Sequence, residues 1–97
     1  MSYTRVLVSE SGVPYSQFLK MFRKSVEPGL NGFKKQKVVS SWSLIQTGDS
    51  NGMLIVNFPN KSAMNKYLKI MAAVRRDIEA DTGAQSWVYH GPVKASG

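Results

Sequence analysis

The sequence predicts an α+β layer: a four-stranded antiparallel sheet with two helices on one face. Three observations lead there. The apolar period switches between two and 3.6 in the order strand, helix, strand, strand, helix, strand. Only the short "GDSNG" separates the second and third strand segments, which makes them a hairpin. The other strands are joined through amphipathic helices, each able to cross over and pack its stripe on the sheet.

The elements follow in chain order. "YTRVLVS" (Tyr3–Ser9) alternates, with Val6 and Val8 on one face and Tyr3, Arg5 and Leu7 on the other. "SGVP" punctuates, and Pro14 suits the start of a helix. Tyr15, Phe18, Leu19, Phe22 and Val26 form one helical stripe, with Gln17, Lys20, Lys24 and Glu27 opposite. Pro28-Gly29 is expected to end that helix, leaving "LNGFKKQK" as a basic loop. Strand two is expected over Lys37–Thr47, rich in β-branched and aromatic residues. Asn51-Gly52 is the strongest turn signal, so strand three is placed at "MLIVNF". Asn60 or Ser62 can cap a second helix over about Lys61–Ala80, with Met64, Tyr67, Leu68, Met71, Val74 and Ile78 as its stripe. Gly83 stops it, and "AQSWVYHGPV" is strand four. The βαββαβ order is that of a ferredoxin-like layer, with residues 1–97 as one domain.

Composition removes several function classes. The absence of cysteine excludes disulfides, thiol catalysis and thiolate zinc sites. A single histidine and no His/Asp/Glu cluster at ligand spacing leave no metal site in view. There is no stretch of about 18 apolar residues and no signal-like run, so a cytoplasmic protein is expected. The formal net charge is +7, concentrated before residue 49. A basic surface permits contact with nucleic acid or anionic substrates without specifying a site.

The helices cover only one face of such a sheet. The other should alternate cleanly with polar residues if it meets water, and it does not. Leu54, Val56 and Phe58 take one side of strand three, but Met53 and Ile55 keep the other apolar. Trp87 and Tyr89 share one side of strand four, with Val88 and His90 behind them. Val38, Trp42 and Leu44 oppose Val39 and Ile45 on strand two. A second copy laid sheet to sheet would bury the surplus, so a homodimer is expected.

With that in place, the chain resembles the dimeric α/β-barrel superfamily, in particular its antibiotic-biosynthesis-monooxygenase-like branch. The element order, the length, the two-sided sheet, "VNFPNKSAMNKYLK" and the "GPV" after strand four carry the resemblance. It implies a ligand cavity between helices and sheet, and no cofactor. It fixes no chemistry, because that superfamily spans oxygenases, haem degraders, isomerases and dehydratases. The haem-degrading set of Asn, Trp and His does not transfer, since strand one has no Asn.

An RNA-recognition module shares this topology, and "NGMLIVNF" loosely resembles its third-strand signature. Such modules stack bases on exposed aromatics. The two stacking positions here hold Met53 and Ile55, and the leading position holds Asn51 in place of Lys or Arg. Nucleic acid is therefore not expected on the sheet. Lys20, Lys24, Lys34, Lys35 and Lys37 still allow non-specific contact.

His90 is the candidate catalytic residue, as the one side chain titrating near neutrality without a large perturbation. The plainer alternative is a hydrogen-bonded strand-end histidine. Trp42, Trp87, Tyr89, Arg5, Tyr15 and Tyr67 are the candidate ligand-binding residues. As plainer alternatives, the aromatics are core or interface, and Arg5 is an edge or paired charge. The acidic group Asp77, Glu79 and Asp81 reads as a solvated face. The leading expectation is a homodimer that binds a small apolar or aromatic molecule between helices and sheet, acting as a cofactor-independent monooxygenase or isomerase. The alternative is a non-enzymatic basic module that binds a protein or nucleic acid.

Overall fold

The computed structural model describes residues 2–96; the side chain of Asp81 lies outside that description. Strand β1 (Tyr3–Glu10) leads into a helical run made of α1 (Tyr15–Met21), a π-helical segment (Phe22–Val26) and α2 (Glu27–Lys35). Strands β2 (Ser41–Gln46) and β3 (Asn51–Phe58) form a hairpin. Helix α3 (Lys61–Thr82) and strand β4 (Gln85–Pro92) complete the chain. The sheet order is β2-β3-β1-β4, antiparallel throughout, with β1 in the middle between β3 and β4.

The register separates the faces. Tyr3, Arg5 and Leu7 lie opposite Phe58, Val56 and Leu54 on β3, and opposite Pro92, His90 and Val88 on β4. Trp42 and Leu44 on β2 join this side through Val56 and Leu54. It is the helix-covered face, where Val56 and Phe58 are wholly buried. The intervening residues Val6, Val8, Met53, Ile55, Ile45, Trp87 and Tyr89 share the open face. Strand pleating puts Leu54, Val56 and Phe58 on one side, as the alternation predicts, and the structure turns that side toward the helices. The core between helices and sheet is built on Leu30, Val39, Met64 and Phe58, with Tyr67 tilted against Phe58 and edge-on to Phe33.

Four local expectations are corrected. Pro28-Gly29 does not end the first helix. Pro28 sits in the first turn of α2, where its missing N–H has no partner to lose. The π-helical segment directly before it shifts the hydrogen-bond register, so the helical run continues past the proline. "LNGFKK" is consequently helix, with Leu30 and Phe33 in the core, and not a loop. Strand two begins at Ser41, not Lys37. Lys37 takes a left-handed φ of 63°, closing α2, while Val38 and Val39 are buried in the connection. Asn51-Gly52 is not the turn. The hairpin closes at Thr47, whose N–H donates to the Asn51 carbonyl at 3.0 Å, and Gly52 lies within β3. A side chain at 52 would place its Cβ 3.0 Å from the Tyr15 ring, so glycine serves close packing there and not a turn. Helix α3 extends to Thr82, two residues beyond the expected end.

Its ends follow the sequence signals. The Asn60 side chain accepts from the Ala63 N–H at 2.9 Å, which settles the cap on Asn60. Gly83 adopts φ 67°, the left-handed stop that glycine accepts most readily. Among the described residues, no helix is long and apolar enough to cross a membrane.

Candidate functional site

Between helices and sheet lies a cavity of about 250 Å³. Leu7 and Leu54 line it from the sheet, Phe18, Phe22 and Val26 from the first helical run, and Leu68, Met71 and Val74 from α3. Its polar lining comes from three elements: Arg5 and Ser9 from β1, Tyr67, Arg75, Arg76 and Glu79 from α3, and Ser86 from β4. The stripe of α3 brings Tyr67, Met71 and Arg75 to the cavity because side chains four apart share a helix face.

Arg5 is the chemically unusual member. Only 4% of it is exposed, and its Nε is buried without a hydrogen-bond partner. Burial lowers the affinity of its guanidinium for the proton, and Arg75 lowers it further, while Tyr67 acts in the opposite sense. Burial pushes the Tyr67 phenol up, and the positive charges of Arg5 and Arg75 pull it partly back. All three side chains line the same cavity. Arg75 donates through Nε to Glu79 Oε1 at 3.1 Å, and Ser86 Oγ donates to the same oxygen at 2.7 Å. Glu79 thus ties α3 to β4, and does not stand on a simply solvated face.

The sequence-predicted residues fall in three places. Arg5 and Tyr67 line the cavity. Tyr15 and Trp42 line a second, more open pocket of about 320 Å³ beside Phe22. There Trp42 donates through Nε1 to the Asn31 side chain at 3.1 Å and tilts against Phe22. Burial raises the Tyr15 phenol as well. Trp87 and Tyr89 stand on the open face, 47% and 64% exposed, since strand parity turns them away from the helices. They are not walls of this protomer's cavity. His90 has the helix-facing parity but sits exposed near the end of β4, its Nδ1 3.1 Å from the Tyr3 hydroxyl, and it lines neither pocket. That matches the hydrogen-bonded strand-end alternative.

Arg75, Arg76, Glu79, Ser9 and Ser86 were not legible as site residues. The Arg75-to-Glu79 spacing signals only an i,i+4 pair. No group of three or more His, Asp or Glu able to hold a metal occurs among the described residues.

Solved structures share the fold. A point variant of SnoaB, a cofactor-independent oxygenase from Streptomyces nogalater, superposes at a TM-score of 0.80 with 13% identity, covering 98% of this chain and 95% of the other. A dimeric ferredoxin-like protein from an uncultured marine organism matches at 0.80 with 10% identity, over 97% and 96% of the two chains. A Nitrosomonas europaea protein provisionally designated an antibiotic biosynthesis monooxygenase matches at 0.66 with 10% identity, over 98% and 94%. The fold is ferredoxin-like α+β. No family model and no curated protein matches the sequence. Fold likeness at such identities carries no activity with it.

Proposed function

We propose that this chain is a homodimeric α/β-barrel protein that binds a small, largely apolar or aromatic molecule between its helices and its sheet. It acts on that molecule as a cofactor-independent oxygenase or isomerase. The observation that carries the reading is the cavity itself: apolar walls around a few convergent polar groups, the usual character of a small-molecule site. Arg5 and Tyr67 take the polar role that sequence reasoning gave to His90. The dimer is supported by the open face, where Ile45, Trp87 and Tyr89 remain exposed beside Val6, Val8, Met53 and Ile55. Similarity of fold to a protein described as dimeric, and to one described as a cofactor-independent oxygenase, supports both parts.

Native mass spectrometry tests the assembly, and NMR titration with the uncharged probe 2-naphthamide tests the cavity. A dimer is expected, with amide shifts centred on Leu54, Tyr67 and Met71. A monomer at every concentration refutes the assembly. Shifts confined to residues outside the cavity refute the site.

A further inference from the structure

We infer that the cavity selects an anion: a small aromatic or apolar molecule bearing one anionic oxygen, carboxylate or enolate, that pairs with Arg5. This rests on the cavity reading above and names the ligand class it would take.

The inference starts from position. Arg5 lies on the central strand, on the helix-covered face, between Val56 on β3 and His90 on β4. An apolar residue would pack there at no electrostatic cost. A guanidinium does not deprotonate at accessible pH, so burial cannot neutralise it as it can a lysine. A buried cation of this kind is strongly unfavourable unless something pairs with it. Among the described residues no carboxylate pairs with it. Arg5 Nε has no partner, and the only ion pair among the described residues is Arg75 with Glu79. The same Glu79 oxygen already accepts from Ser86. Tyr67 is close enough to sense the charge, but burial holds its phenol protonated. Arg75 and Arg76 line the same cavity, so three guanidinium groups face one engaged carboxylate. A local rule broken in this way, at the wall of an apolar cavity, is expected at a functional site. The planar donor fork of Arg5 suits an oxyanion entering from the cavity, and a hydrogen bond to a charged group is among the stronger ones.

The test compares 2-naphthoate with its uncharged near-isostere 2-naphthamide, using calorimetry on the wild type, Arg5→Met and Arg5→Lys. Amide NMR dispersion establishes that each variant is folded. Wild type is expected to bind the naphthoate about tenfold to a hundredfold more tightly. Arg5→Met, which removes the charge and leaves an apolar side chain, should cost the naphthoate far more than the amide and so bring the two affinities together. Arg5→Lys, which loses the fork, should lower the preference severalfold. Equal affinities in wild type overturn the anion inference and leave the cavity reading standing. So does a preference that survives in both variants. If neither probe binds the wild type, both readings fail.

Discussion

Trp87→Glu should dissociate the dimer, and the size of the effect can be worked from the open face. Trp87 is 47% exposed in the single protomer. A tryptophan offers up to about 250 Å², so roughly 115 Å² remains to be covered at the interface. At ~25 cal/mol per Å² that is about 3 kcal/mol. An isologous interface uses the residue twice, giving an upper limit of about 6 kcal/mol. Side-chain ordering and partial contact reduce this. About 3 kcal/mol is a reasonable net figure, or roughly a hundredfold to two-hundredfold in dissociation constant. The glutamate adds the cost of desolvating a carboxylate against Val8, its opposite residue on β1. Sedimentation equilibrium across the micromolar range measures the change. Ile70→Glu is the control: Ile70 is 56% exposed but lies on α3, away from the open face. A monomeric wild type, a Trp87→Glu variant that dimerises like wild type, or equal weakening by Ile70→Glu would each refute the reasoning.

Further expectations concern stability. The folded-state pKa of Tyr67 is raised by burial, so its contribution is present below the ordinary tyrosine value of about 10 and is lost as pH rises through the folded value. Thermal melts above pH ~10 should therefore fall more steeply in wild type than in Tyr67→Phe; parallel curves count against it. Gly12→Ala would set a Cβ 2.6 Å from the Thr82 carbonyl oxygen, a backbone atom to which the Gly12 N–H already donates at 3.0 Å. It should cost about 1–3 kcal/mol in urea unfolding, and an unchanged midpoint would exclude that. Asn60→Ala removes the cap on α3 and should cost about 1 kcal/mol. Hydrogen exchange at Ala63 should quicken accordingly, and unaltered protection there would disprove the cap's contribution.

The order of elements and the division of the sheet into faces were legible because strand parity depends only on local alternation. Leu54, Val56 and Phe58 had to share one side, whatever the tertiary structure. The helix past Pro28 was not legible, because a π-helical segment has no reliable local signature and the proline alone reads as a stop. Asn51-Gly52 failed for the opposite reason. Its turn signal is strong, but Gly52 answers to the Tyr15 ring, a contact between distant parts of the chain. The site was half visible. Arg5 stood out as a charge on an otherwise apolar strand face, and Tyr67 by its place on the α3 stripe. Ser86 and Glu79 could not, since their meeting depends on how β4 returns beside the C-terminal end of α3.

Parity also gives this sheet an inverted charge pattern. On its covered face the central strand buries Arg5, and on its uncovered face the neighbouring strand exposes Trp87 and Tyr89. Either placement disfavours an isolated, empty protomer: one leaves a cation without a counter-ion, the other leaves aromatic surface in water. Different partners relieve the two. On the proposed reading, a second copy covers the aromatics, and an anion in the cavity pairs with the arginine. Binding free energy adds to folding free energy wherever the partner recognises only the folded state. Each event should therefore stabilise the fold. Because successive residues of β1 point to opposite faces, removing the charge at Arg5 need not disturb Val6 and Val8 on the open face. The protein can so keep two locally unfavourable features on two paired strands, each made favourable by a different occupant.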